Sequence, residues 1–176
     1  MELQWDNKKY TTGFAHIDQQ HKELFEGING LIHFLKLSSV TQDKKNKAKV
    51  IEMLEFLGDY AQTHFQDEEK VFEEYDHPMK EVNKEAHKLF LEKYVHYQNR
   101  LEEKLKEERL TRGVLIQIHI FLQSWLVNHI LKVDTSLRDC AGKANEQEKE
   151  VHEQEGTKNR GIFSRFLKLL TGNPAN

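Results

Sequence analysis

The chain lacks the punctuation of a β-protein. Its 176 residues include only 2 prolines and 9 glycines. Many short strands need many turns, so an all-β fold is excluded. A single cysteine, Cys140, excludes an internal disulfide framework and a cysteine-rich zinc site. Neither charge dominates: 26 Lys and Arg stand against 29 Asp and Glu, a net charge of −3. That balance argues against a dedicated nucleic-acid binder, which carries a basic excess or stripe. No run of about 18 apolar residues is evident, so no membrane-spanning segment is expected. The start, Met1-Glu2-Leu3-Gln4-Trp5-Asp6, lacks the basic and apolar stretches of a signal peptide, which makes the cytoplasm the expected compartment. Against these absences stand 10 histidines, and their placement carries the functional reading.

Residues Met1 to Ala15 read as an irregular arm anchored by Trp5, Tyr10 and Phe14. Four helical patterns follow. Asp18 is the expected N-cap of the first, whose apolar face is Leu24, Phe25, Ile28, Leu31, Ile32 and Leu35. The second is capped by Thr41 or Asp43, uses Val50, Ile51, Leu54, Leu57, Ala61, Phe65, Val71 and Phe72, and stops before Pro78. The third takes in Val82, Ala86, Leu89, Phe90, Tyr94, Tyr97, Leu101 and Leu105. The fourth begins near Thr111 and uses Leu115, Ile118, Leu122, Leu126, Val127, Ile130, Val133 and Leu137. Four such helices joined by short loops predict an all-α, antiparallel, up-down-up-down four-helix bundle, with an N-terminal arm and a C-terminal helical extension. Residues 1–140 are the expected domain, and 141–176 a charged linker with a short amphipathic helix. In that helix Ile162, Phe163, Phe166, Leu167 and Leu170 share a face opposite Arg165 and Lys168. Such a segment suits packing on the bundle or docking a protein partner; its contact with an anionic membrane surface would be weak.

Each helix also offers metal-ligating side chains. The first has His21. The second has His64 and Glu68, and the third has Asn83 and His87, both pairs at i and i+4 and so on one helical face. The fourth has His129 and Asp134. That step of five leaves an ideal helical face by about 140°, so Asp134 needs the helix to loosen there. Four facing helices offering imidazole and carboxylate can enclose a pair of metal ions, with two-oxygen carboxylates between them. A lone interior histidine is more often a hydrogen-bonded core residue, so the weight rests on the joint pattern.

That pattern resembles the hemerythrin family, in its single-domain bacterial form. The resemblance rests on Gly13-Phe14-Ala15-His16-Ile17-Asp18-Gln19-Gln20-His21-Lys22-Glu23-Leu24, on His64-Phe65-Gln66-Asp67-Glu68-Glu69, on Glu85-Ala86-His87-Lys88-Leu89-Phe90, and on the stretch from Trp125 to Asp134. The Trp5-Asp6 start adds to it, and the whole covers about residues 1–138. It implies two non-haem irons joined by an oxo or hydroxo bridge, with O2 binding at the iron that has an open position. By resemblance, His21 and His64 bind one iron, His87 and His129 bind the other, and Glu68 and Asp134 bridge them. One ligand departs from the pattern: Asn83 stands where the family has a histidine, a weak or vacant position. His77 is a poor substitute, because it precedes Pro78 and lies roughly 80° off the face of His87.

Phe25, Ile28, Trp125 and Leu126 are expected to shape an apolar O2 pocket, with ordinary core packing as the competing explanation. His16, His33, His77, His96, His119 and His152 read as surface residues or as supports behind the ligands. The leading function is an O2 carrier, store or sensor. A di-iron oxidase or peroxidase ranks lower, since the Glu-x-x-His motif of such bundles is absent at the ligand positions. An iron-handling or interaction protein is the third reading.

Overall fold

The computed structural model describes residues 2–36, 43–107 and 111–144. These are helical throughout, with no strand among the described residues. A short helix α1 (Asn7–Tyr10) precedes four long ones, α2 (Ala15–Lys36), α3 (Lys44–Glu74), α4 (Lys80–Lys106) and α5 (Arg112–Lys132). A 3₁₀ turn, Asp134–Leu137, and a short α6 (Arg138–Ala144) follow. Each long helix packs on its chain neighbours, and α2 meets α5 to close the ring. The fold is the expected all-α bundle.

Local chemistry sets the helix ends. Asp43 caps α3 by accepting from Lys45 N at 2.7 Å and Asn46 N at 3.3 Å. Thr41, the other expected cap, lies outside the described residues. At its far end α3 stops at Glu74, and Asp76 turns the chain at φ +43° before Pro78. Two expectations for the N-terminal region need correction. The arm is not wholly irregular, because the Asp6 side chain accepts from Lys8 N at 2.9 Å and nucleates α1. Asp18 is not the cap of α2. The helix begins at Ala15, and the Asp18 carboxylate reaches back to Thr12 N at 2.7 Å and to the Thr11 and Thr12 hydroxyls.

The larger core cluster holds Leu31, Leu54, Leu57, Phe65, Phe90, Leu115 and Ile118 among others. A smaller one gathers Phe14, Ile17, Val71, Phe72, Val133 and Leu137 beyond the histidines. On α4 the expected apolar stripe is rotated. Val82 and Leu89 are half exposed, whereas Asn83 and His87 are buried with Phe90, Tyr94 and Leu101. The polar residues win the inward face because the interior there is polar. A further correction concerns α5. By length and composition the span Arg112–Gly142, which takes in α5, the 3₁₀ turn and part of α6, is apolar enough to cross a membrane. A helix packed on several sides in a bundle is apolar around much of its girth, and this one carries a buried His129.

The N-terminal arm and α6 meet. Arg138, which opens α6, donates to Thr11 O at 2.6 Å, Lys9 O at 2.8 Å and Lys8 O at 3.4 Å. Gly13, at φ +89°, lies so close to Ala141 that a Cβ would collide with it. α6 thus runs across the boundary expected near residue 140, while residues 145–176, with the amphipathic segment, lie outside the described residues.

Candidate metal centre

The bundle brings all six expected ligands into one buried layer with Asn83. α2 supplies His21, α3 supplies His64 and Glu68, α4 supplies Asn83 and His87, and α5 supplies His129. Asp134 arrives by a break in the helix. α5 ends at Lys132, Val133 adopts φ −120° and ψ −65°, and the 3₁₀ turn swings Asp134 inward. The 140° misfit of the five-residue step is absorbed there. His77 braces this turn: its Nδ1 accepts from Met79 N at 3.1 Å, and its Nε2 donates to Ser136 O at 3.2 Å. Both ring nitrogens are thus engaged away from the layer.

Two groups of ligand atoms have metal-binding geometry: His21, His64 and Glu68, and Glu68, His87 and His129, with the atoms of each group within 4.8 Å of one another. Glu68 is common to both. Its Oε1 lies 3.9 Å from His21 Nε2, and its Oε2 lies 3.2 Å from His87 Nε2. Asp134 divides its oxygens in the same way, with Oδ2 3.3 Å from His21 Nε2 and Oδ1 3.0 Å from His129 Nε2. Each carboxylate therefore spans the two groups. Asn83 Oδ1 is 3.0 Å from His129 Nε2, so its amide sits within the second group.

The layer is costly as bare protein. Both oxygens of Glu68, both of Asp134, both nitrogens of His21 and Nε2 of His64 are buried without a hydrogen-bond partner. Orphaned polar atoms at this density are rare in a folded protein, and their convergence fits a cation pair. The imidazoles and carboxylates also form the mixed N and O donor set that iron accepts. The electrostatics of the bare layer are divided. Burial, then the Asp134 charge, pushes Glu68 up to about 8. Burial, then His21, holds His64 well below the ordinary imidazole range, and burial with His129 brings His87 to about 4. Burial opposes the charge on His129, yet Asp134 outweighs it and raises that imidazole. For Asp134, burial is outweighed by His129 and His21, which hold the carboxyl below its usual range. His64 and His87 are thus held in the neutral form that binds metal, whereas Glu68 and His129 hold protons that a metal would displace.

Neighbouring side chains hold the ligands in place. Gln20 Oε1 lies 3.0 Å from His64 Nδ1, and Gln20 Nε2 donates to Asp67 at 2.9 Å. Glu69 Oε1 lies 2.8 Å from His87 Nδ1. Phe65 stacks on His87 with centroids 3.9 Å apart, and Trp125 stacks on His129 at 4.4 Å. Sequence reasoning quoted Gln20 and Glu69 within the motifs without giving them a role. The available signal was their position, each one residue from a ligand. Ile28, Trp125 and Leu126 line an apolar hollow with Leu24, Phe65 and Phe90. Phe25 is outside it and packs its ring on Trp5 and Tyr10. Two histidines expected at the surface or behind ligands are buried elsewhere, His77 in the brace and His119 on α5. The register of α5 carries His119 inward, and the turn between α3 and α4 carries His77.

A helical bundle whose four helices each send nitrogen or oxygen ligands into one buried layer, with two carboxylates spanning it, defines a dinuclear metal-binding bundle. Residues 12–141 match the family model described as the hemerythrin HHE cation binding domain, and the chain belongs to the hemerythrin family. It is 31% identical over 161 residues to a bacteriohemerythrin of Pseudomonas aeruginosa strain LESB58, covering 92% of this chain and 93% of that one. A bacteriohemerythrin of Stenotrophomonas maltophilia is 29% identical over 160 residues, covering 91% and 92%. A crystal structure of wild-type hemerythrin superposes with a TM-score of 0.65 at 23% identity, covering 80% of this chain and 98% of that one. The family binds two bridged non-haem iron ions and O2, and the His and Glu clusters here fit such ions.

Proposed function

We propose that this chain is a non-enzymatic di-iron O2-binding protein that carries, stores or senses O2 in the cytoplasm. His21 and His64 would hold one iron and His87 and His129 the other, with Glu68 and Asp134 bridging. Asn83 leaves a weak or open position on the second iron, since an amide oxygen is a poorer ligand than imidazole. The observation that carries this reading is the sharing of two unpartnered carboxylates between two imidazole groups. When bound, the bridged irons supply the electrons and the open coordination position that O2 binding needs. The protein's part is to hold, orient and exclude. Glu68 and Asp134 fix the separation of the two halves, and the stacked Phe65 and Trp125 lock the rings of His87 and His129. The apolar hollow beside Trp125 and Leu126 offers O2 a dry approach and keeps water from the layer. The amphipathic segment of residues 162–170 is the proposed contact for a protein partner.

Two measurements test the reading together: iron per chain, and the absorption spectrum of the reduced protein as O2 is admitted and withdrawn. About two irons and a reversible visible band are expected. A second reading, a di-iron oxidase or peroxidase, is favoured by the position Asn83 leaves open. Catalytic peroxide turnover without reversible binding would select it. Asn83→His is expected to slow autoxidation several-fold, and an unchanged rate would remove Asn83 from the account.

A further inference from the structure

The outer nitrogens of the imidazoles are treated unequally, and the difference falls on the side that Asn83 weakens. His64 is backed by Gln20, a neutral amide, at 3.0 Å. His21 Nδ1 is buried with no partner. His87 alone among these three is backed by a carboxylate, Glu69 Oε1, at 2.8 Å. Its opposite nitrogen, Nε2, points into the layer, 3.2 Å from Glu68 Oε2 and 3.0 Å from His129 Nε2. The His87 ring is therefore a bridge between the Glu69 charge and the second metal group. Phe65, stacked on it at an interplanar angle of 10°, prevents the ring from turning out of that line.

The helix geometry makes the arrangement specific. Glu68 and Glu69 are consecutive on α3, so they diverge by about 100°. Glu68 enters the layer, and Glu69 turns toward α4 with its side chain 31% exposed. Lys84, a cation on α4, is engaged by Glu73 at 3.0 Å. A carboxylate on the outer N–H of a ligating imidazole fixes the tautomer, orients the ring and makes the inner nitrogen more electron-rich.

We propose that Glu69 is a positioning residue that makes His87 a stronger ligand and so retains the metal on the side where Asn83 replaces an imidazole. This rests on the dinuclear reading given above. It predicts unequal halves: one held by two histidines with neutral or no backing, the other by two histidines, one of which is reinforced by charge.

The test is Glu69→Gln, which keeps a hydrogen-bond acceptor of the same length and removes the charge. Zn²⁺ titrations of the full chain against a chelator read metal affinity with no redox chemistry involved. Wild type is expected to bind two Zn²⁺. Glu69→Gln is expected to lose about 10- to 100-fold in affinity for one of them while the other is unchanged. In iron-loaded protein the same substitution is expected to raise the midpoint potential of one iron, a readout that a purely structural role would not move. In an Asn83→His background the loss on adding Glu69→Gln is expected to shrink, because a third imidazole then shares the load. Two Zn²⁺ bound with wild-type affinity by Glu69→Gln would overturn the proposal alone. So would an equal loss at both sites, which would mean a general structural role. A wild-type chain that binds no second Zn²⁺ would overturn it together with the dinuclear reading.

Discussion

At one end of the bundle, Leu31, Leu54, Leu101 and Leu115 close an interior built mainly of apolar side chains. Farther along, the same four helices bury His21, Glu68, His87 and His129, and the 3₁₀ turn adds Asp134. The apolar end is stabilised by area removed from water, about 25 cal/mol for each Å². The ligand end works against folding, since buried charges without hydrogen bonds cost several kcal/mol apiece. The difference teaches that the apolar end supplies the scaffold, and that the ligand layer exists because bound ions repay its cost.

Removing the metal should have the largest effect. A ligand present at a thousand times its Kd stabilises by about 4 kcal/mol. For a domain of this size each kcal/mol is worth roughly 2–4 °C, so stripping the metal should lower Tm by about 8–16 °C in calorimetry. An unchanged Tm would break the comparison, because the bare layer would then be stable by itself. Leu115→Ala at the apolar end should cost about 2–5 kcal/mol in denaturant unfolding. The comparison is sharpened if the cost is the same in stripped and loaded protein, and broken if it appears in one state only.

The smallest effect is a pH optimum confined to the metal-free chain. His64 and His87 have folded-state values below their ordinary one, with His87 at about 4. As pH falls below about 6.5, the unfolded chain takes up protons that the fold refuses, so stability falls. Glu68, raised to about 8, and the raised His129 act in the opposite sense. Their protons are held by the fold and released by the unfolded chain, so stability also falls as pH rises toward 8. The stripped protein should be most stable near pH 6, measured as Tm against pH. Loaded protein should lose this upper limb, because metal requires the deprotonated carboxylate.

Much of this was legible in the sequence because the i and i+4 spacing of His64 with Glu68, and of Asn83 with His87, depends only on helical geometry. Asp134 was legible as a misfit, although the 3₁₀ turn that resolves it depends on Val133 and on a His77 more than fifty residues away. The rotation of α4 was not legible. Val82 and Leu89 are apolar and periodic, and nothing local shows that a polar layer displaces them from the interior. Gln20 and Glu69 were hidden for a related reason: their roles require knowing which imidazole faces them across the bundle. The misplaced start of α2 has a simpler origin, since an aspartate near a helix start can cap it or, as Asp18 does, tie the preceding threonines to its first turn.

The junction between Arg138 and the carbonyls of Lys8, Lys9 and Thr11 has a mechanical consequence. The N-terminal arm and α6 form a clasp, closed by one guanidinium and by the contact of Gly13 with Ala141. A force applied between residue 2 and residue 144 would fall on this clasp before it reached the bundle. Its few hydrogen bonds would part before the helices slide, and the release would reach the turn that carries Asp134 first.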